Sequence, residues 1–499
     1  MSESLTPGLS FQAILLISAI VGSIVFHSWR LWSRRQWFCF DPLNTFWAGI
    51  IVVFVLQPLK YGDTCNSWHI PGTMEKALLW AVVSVAAVSL GHNAKLGAEW
   101  GYRLPRMPSR LDPGKVYIAA LVLIAVGILG YGILMATAGG IKEWLAVGRG
   151  ATDFEKLKVG YVRWLPHALP AGVALLLFHV GFHRVSSTLR AMVLIAATLT
   201  LLWTMYLGSR GGTIGFAIAW LAATYLPLRR NPPVWLTALV CVGLFVVVSF
   251  QAQYRANFTN LSFNLHQVDM KAFLSDLLPG VAPKASAEVE RTVSASSEFN
   301  CVMAAVELVP RTIPYNHGYA LLELLTHPIP RAIWPEKHYP HYEAFTPIMF
   351  QGGLSSNWQT VGSTEMLSGP GFTFVGHWYA IGGPIALVIA GLFTGALLRM
   401  LRTVYDRNPS SEGDAILFSQ CVFVGFCEAA TTPLFFIFTL PAMWIPTIIL
   451  LFWARKDLFP NGRPVGHSAV HETREPVFRR GRKPPRLSNR SQNIGEQIH

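Results

Sequence analysis

The sequence has few charges and keeps almost all of them out of its long apolar runs. Asp, Glu, Lys and Arg make up 13% of its 499 residues, against 52% hydrophobic, a balance that a water-soluble globular protein of this size rarely tolerates. Several enzyme signatures are missing too. The chain has no His-Glu-x-x-His, no Gly-x-x-x-x-Gly-Lys and no Gly-x-Ser-x-Gly, which excludes the zinc-protease, phosphate-loop and serine-hydrolase chemistries that those motifs carry. The six cysteines have no metal-ligand spacing. A metal site built from His327, His338 and His341 is disfavoured, so neither metal nor cofactor is expected. No Lys or Arg precedes the first apolar run and no small-residue cleavage pattern follows it, so that run is read as a helix, not as a secretory signal.

What is present is a series of apolar runs long enough to cross a hydrocarbon core of roughly 30 Å. They fall at 9–27, 43–59, 75–92, 116–138, 165–182, 190–208, 212–228, 234–252, 377–398, 414–432 and 433–453. The expected fold is an all-α polytopic membrane protein of about 11 transmembrane helices, within 10 to 12. Trp29, Trp32, Trp37, Trp80 and Trp453 stand near the ends of runs, as an interfacial belt requires.

The net charge of +13 would raise nucleic acid as a partner of a soluble protein, but its placement points to membrane topology. Arg30, Arg34 and Arg35 follow the first run; Lys95, Arg103, Arg106, Arg110 and Lys115 the third; Arg184 and Arg190 the fifth; Arg229 and Arg230 the seventh; Arg399, Arg402 and Arg407 the ninth. Every second loop is basic, so by the positive-inside rule those loops are expected in the cytoplasm and the N-terminus outside. The segment 455–499 carries ten Lys and Arg against four acids and reads as a disordered cytoplasmic tail close to anionic headgroups, with no nucleic-acid role. The 139–164 connection carries both signs and goes outside by parity alone. Cys65 and Cys301 then share the outer side, either as a disulfide or as two thiols.

Four regions follow: a transmembrane bundle at 1–252, a large extracytoplasmic loop at 253–371, further spans at 372–454 and the tail. A loop of about 120 residues far exceeds the turn that antiparallel helices need, and long loops usually carry function. Phe299, Val302, Met303 and Val306 recur at helical spacing, as do Leu321, Leu322, Leu324 and Leu325. These stretches are too short to span and are expected at the outer interface or over a cavity, with Pro310, Pro314, Pro328 and Pro330 ending them. The part at 253–297 is more polar.

Three outer clusters carry candidate chemistry. Ser209-Arg210-Gly211-Gly212-Thr213 turns into the seventh run. There a helix N-terminus and a guanidinium suit phosphate oxygens; equally, the glycines serve close helix packing. Val309-Pro310-Arg311-Thr312-Ile313-Pro314-Tyr315-Asn316-His317-Gly318 and His327-Pro328-Ile329-Pro330-Arg331-Ala332-Ile333-Trp334-Pro335-Glu336-Lys337-His338 each set an Arg beside proline, which restricts the backbone and with it the side chain's direction. Arg311 and Arg331 suit a diphosphate clamp, and a histidine such as His317 suits proton removal from a hydroxyl near neutral pH. Read structurally, each Arg is a headgroup or carboxylate contact and each His a solvated loop residue.

Ser209-Arg210-Gly211, then Pro328-Ile329-Pro330-Arg331 with Trp334-Pro335-Glu336-Lys337, then Gly376-His377-Trp378-Tyr379-Ala380-Ile381-Gly382-Gly383 together resemble the oligosaccharide repeat-unit polymerases of bacterial surface polysaccharides, the O-antigen polymerase (Wzy) family. The resemblance covers about 200–405 and the hydropathy pattern; many relatives carry an acid near the place of His377. It implies a GT-C-like glycosyltransferase at the outer face of the inner membrane that needs no metal. Its substrate would be an undecaprenyl-diphosphate-linked oligosaccharide, and its other partners membrane lipids, a chain-length regulator and a flippase. On this reading His317, Arg331 and Arg210 are catalytic, while Arg311, Lys337, Tyr315, His377 and Glu365 bind substrate, with Glu365 the alternative base. The alternatives are an O-antigen ligase, with the same carrier chemistry and lipid A core as acceptor, and a transporter. The spans hold few ionisable groups beyond Glu428 and show no internal repeat, which disfavours transport.

The topology has a direct check. A cysteine placed near residue 285 is expected to react with a membrane-impermeant thiol reagent in intact spheroplasts, and protection there would invert the assignment of sides.

Overall fold

The computed structural model describes residues 9–33, 37–140, 165–206 except 184, 210–243 with breaks, 297–326, 329, 333–334, 340–351, 371–430 with breaks and 445–456. Of the candidate site residues named above, Ser209, His327, Arg331, Lys337, His338 and Glu365 lie outside this set, as do 253–296 and the tail from 457. The described secondary structure is helical, with one isolated bridge between Leu111 and Arg455.

Helix α1 runs over Phe11–Ser33. The second span joins α2 (Pro42–Ile51) to α3 (Gln57–Asn66) through a π turn at Val52–Leu56. Asp41 caps it by accepting from the Leu43 amide, and Pro42 occupies the first turn, where no amide is needed. Pro58 has no N–H for the Phe54 carbonyl, and the π turn lies where the ladder would otherwise fail. Next come α4 (Thr73–Asn93), α5 (Lys95–Arg103) and α6 (Pro113–Ala138), the last capped by Asp112 and ended by Gly139 at φ +92°. Helices α7 (Ala168–Phe182), α8 (Ser187–Tyr206) and α9 (Arg210–Tyr225) follow. After the long connection come α10 (Glu298–Leu308), a 3-10 turn at Tyr319–Leu322, α11 (Glu323–Thr326) and α12 (Pro340–Gln351). The set closes with α13 (Thr373–Asp406), α14 (Glu412–Val422) and α15 (Val424–Ala430).

Among the described residues, eight helical segments are long and apolar enough to cross a membrane. Of the eleven expected spans, the seventh emerges as the 16-residue α9, and those at 234–252 and 433–453 fall largely outside the described residues. The spans carry large exposed apolar side chains, among them Ile118, Leu121, Val122, Ile128 and Leu129 on α6. In water such a face would be a liability; against hydrocarbon it is required. The protein is a helical membrane protein.

Small residues let the helices close. A Cβ at Gly91 on α4 would overlap the Leu392 carbonyl of α13, and one at Gly395 would overlap the Val88 carbonyl of α4. Gly97 and Gly101 extend the same close approach from α5 to Ala396 and Thr403. This is how helices gain dispersion in a solvent as apolar as their own side chains. Two apolar cores result. One gathers α1, α2, α4, α10 and α13, and the other gathers α6, α7, α8, α9 and α14.

One end of the bundle is ionic. Arg402 donates to Asp406 at 2.8 Å, stands 3.9 Å from Asp41 and covers the Phe38 ring at 4.5 Å. Arg407 meets the buried Asp414 at 3.2 Å and donates to the Gly101, Leu104 and Pro105 carbonyls. From Arg402 back to Pro384 the rise is roughly 27 Å at 1.5 Å per residue, about one hydrocarbon thickness. Pro384 therefore marks the far end of the bundle.

Gly395→Leu is expected to destabilise the fold by at least about 1–3 kcal/mol, because backbone, not a mobile side chain, fills the space. Gly132→Leu on α6, with nothing within 4 Å of the added carbon, is the control expected to stay near neutral. Thermal unfolding of the purified protein reads both.

Candidate functional site

At the far end, α10 is core rather than an interfacial helix. Phe299 through Val306 are all buried, so of the two expected positions, at the outer interface or over a cavity, the interfacial one does not hold for this helix. The reason is its composition: small or apolar residues cover nearly every face, so no side is fit for water. Ser297 caps the helix by accepting from the Asn300 amide, and Glu298 stands in its first turn, where the dipole favours an acid. Gln57 of α3 accepts from the Phe299 amide at 2.9 Å and donates from its amide nitrogen to Glu298 at 2.5 Å.

A single imidazole ties both ends of α10 to the α3–α4 turn. His69 Nδ1 is 2.6 Å from Glu307 Oε2, and its Nε2 is 2.6 Å from Asn300 Oδ1. The His69 side chain is 4% exposed, so this is a partly buried, charge-assisted contact of the stronger kind. Cys65 and Cys301 lie in the same region as thiols, not as a disulfide. Burial pushes the Cys65 thiol up to about 11, and burial with Glu298 and Cys65 nearby raises Cys301 well above the ordinary range. Both therefore stay protonated, and unreactive as nucleophiles, at neutral pH.

The chain leaves α10 carrying Arg311, Tyr315 and His317 across a break in α13. Gly382 and Gly383 are non-helical, Gly383 at φ +66°, and Pro384 follows. Pro384 has no N–H to give the Ala380 carbonyl, and the non-helical turn interrupts the ladder at Ile381. The loop supplies the donors: Asn316 N–H bonds the Ala380 carbonyl at 3.1 Å and His317 N–H the Ile381 carbonyl at 3.0 Å. Gly383 must be glycine on two counts, its positive φ and the Tyr315 hydroxyl 2.7 Å from where a Cβ would sit. His317 itself adopts φ +46°, an unusual conformation for a non-glycine residue. Asn316 Oδ1 supports that turn by accepting from the Gly318 amide at 3.1 Å.

Here the Arg311 and His317 side chains are exposed, whereas Tyr315 is half-buried, its ring 6.1 Å from His317 and 6.4 Å from Tyr379. Trp80 continues the aromatic row behind Tyr379 at 5.8 Å. Chemically, the arrangement offers a guanidinium and an imidazole on a backbone pinned at the far boundary of the bundle. His377, expected to bind substrate, is fully buried; its ring stacks on Phe345 at 4.9 Å and meets Trp378 edge-on at 5.4 Å. Arg210 is the first residue of α9, which packs with α7, α8 and α14 in the other core. The structure thus brings Tyr315 and His317 together, leaves Arg311 exposed on the same connecting segment, and places Arg210 on a different group of helices. Along α9 and α8 runs an apolar groove of about 470 Å³, lined by Leu201, Met205, Ala217, Trp220, Leu221 and Val240 among others. Among the described residues, no three His, Cys, Asp or Glu side chains group as metal ligands.

Gln57, His69, Asn300 and Glu307 carry this geometry without having been singled out in the sequence. Gly382-Gly383-Pro384 inside an apolar run was the signal for the break. No local pattern pairs His69 with Glu307, 238 residues away. Compared with family models, curated proteins and solved structures, the chain matches none.

His69→Ala removes partners from both Asn300 and Glu307, a loss of about 1–3 kcal/mol for buried polar groups left unsatisfied. In the folded wild type at pH 8, Cys65 and Cys301 are expected to resist alkylation. The His69→Ala variant is expected to alkylate at Cys301 markedly faster, read by mass spectrometry of timed iodoacetamide reactions; equal rates would mean His69 does not hold α10.

Proposed function

We propose that this chain is a membrane glycosyltransferase that polymerises undecaprenyl-diphosphate-linked oligosaccharide repeat units into a bacterial surface polysaccharide. The observation that carries the reading is the pinned segment at the far end, where His317 is exposed on a backbone held by the Ala380 and Ile381 carbonyls and Arg311 is exposed earlier on the same segment. A lipid-linked diphosphate sits at that depth, at the edge of hydrocarbon. The acceptor sugar hydroxyl attacks the anomeric carbon of the donor glycan as the bond to the diphosphate oxygen breaks. His317 takes the hydroxyl proton, and arginines stabilise the charge that develops on the leaving diphosphate. Fixing the backbone around these side chains limits the reorganisation needed at the moment of transfer.

In this reading the far end is extracytoplasmic, the basic end faces the cytoplasm, the membrane is the inner one and the helices form a GT-C-like bundle of about eleven spans. The apolar groove along α9 suits a polyprenyl chain, and Arg210 at the start of that helix suits its diphosphate. Arg331, Lys337 and Glu365 belong to the same proposal on the resemblance alone.

The test is removal of the gene followed by analysis of lipid-linked glycans. Single repeat units are expected to accumulate with loss of long chains; unchanged chain lengths with glycan missing only from lipid A would mean ligation instead. On complementation, His317→Ala is expected to lower polymer formation about 10²–10⁴-fold, the usual contribution of a positioned base. Arg311→Ala, Arg210→Ala and Arg331→Ala are each expected to lower it by about 10²–10³-fold, the scale of one lost transition-state donor. All variants should still insert, and normal chains from the three arginine variants would remove the diphosphate clamp.

A further inference from the structure

Beyond the bundle, the turn after His317 leaves a row of large apolar side chains uncovered. Tyr319 is 40% exposed, Leu322 45%, Leu325 73%, Ile333 74% and Trp334 38%. Their level in the membrane follows from the break in α13. His317 N–H is bonded to the Ile381 carbonyl, so residues 317 and 318 stand at the depth of Gly382 and Gly383. The exposed apolar stripe of α13 begins just past that point, at Ile385, and continues through Val388, Ile389, Leu392 and Phe393. Pro384 lies roughly 27 Å from Arg402, so the stripe starts where hydrocarbon starts. The Tyr319–Leu322 turn is held at this level from the other side as well. It packs on α12, the Tyr319 hydroxyl donates to Glu343 at 2.6 Å, and Phe345 and Ile348 of α12 are buried in the same core as α10.

We infer that the exposed apolar residues Tyr319, Leu322, Leu325, Ile333 and Trp334 form a shallow membrane anchor in the leaflet at the far end, with Leu322, Leu325, Ile333 and Trp334 among the acyl chains and Tyr319 at headgroup level. Leu322 and Leu325 are three residues apart, so they share one side of a helical turn. Leucine and tryptophan below a tyrosine at the polar boundary is the side-chain order that an interfacial segment needs. The occupant is bilayer lipid, because the patch begins at the same depth as the lipid-facing stripe of α13, its neighbour through the His317–Ile381 bond. This inference stands apart from the proposed chemistry and survives its failure.

The test uses the full chain, purified and reconstituted in vesicles of phosphatidylethanolamine and phosphatidylglycerol with a phosphatidylcholine carrying a diazirine in its acyl chain. After irradiation, adducts are mapped by mass spectrometry, with Ile385–Phe393 as the internal reference for lipid contact. Adducts at Leu322, Leu325, Ile333 or Trp334 in yields comparable with the reference are expected. Labelling of the reference with none on 319–334 would overturn the anchor. So would cross-linking of 319–334 to a second copy of the chain in place of lipid, since the patch would then be a subunit interface.

Discussion

Two backbone carbonyls in an apolar bundle lack donors from their own helix, and the far end of the molecule is arranged around them. Proline at 384 and the left-handed glycine at 383 take the ladder away from Ala380 and Ile381, and an unsatisfied peptide group in such surroundings costs roughly 2–7 kcal/mol. Asn316 and His317 satisfy both from a loop that begins far away in sequence. Because the donors are backbone amides, the loop is located to within a hydrogen-bond length whatever its side chains do. That leaves Arg311 and His317 facing outward from a fixed frame.

The frame holds because α10 is packed as core. Its amide end is met by Gln57 and His69, its carboxyl end by His69 again, and its flank by Gly376, whose missing side chain admits Val302. Glycines between α4 and α13 let the two spans beneath it approach closely enough for backbone to touch backbone. The sequence of causes runs from small residues, to a tight span pair, to a seat for α10, to a loop that reaches the broken helix. Weakening an early link should loosen every later one, whereas changing Arg311 or His317 should leave the frame intact.

The spans were legible because their signals are local. Asp112 with Pro113 starts α6 and Gly139 ends it, and an apolar run fixes what lies between. The placement of α10 was not legible from the periodicity of Phe299, Val302, Met303 and Val306, because Asn300, Cys301, Ala304 and Ala305 on its other faces are buried as well. Periodicity shows which face prefers burial and is silent on whether the opposite face is also covered. In the candidate site, Arg311, Tyr315 and His317 stood out as a proline-flanked cluster, and the meeting of Tyr315 and His317 with the break at Gly382-Gly383-Pro384 did not, since a helix breaker announces the break and not the segment that repairs it. His377 illustrates the converse. Its neighbourhood in sequence suggested substrate contact, while Phe345 and Trp378 enclose it.

The whole arrangement rests on the bond pair between the loop and the broken helix. Its most direct measurement is amide hydrogen exchange of the full-length protein in lipid nanodiscs, followed at Asn316 and His317. Both amides are expected to exchange as slowly as those in the helical part of α13, although the His317 side chain is exposed. Exchange at the rate of an unstructured loop would contradict this, because Ala380 and Ile381 would then have no donors and Arg311 and His317 no fixed frame.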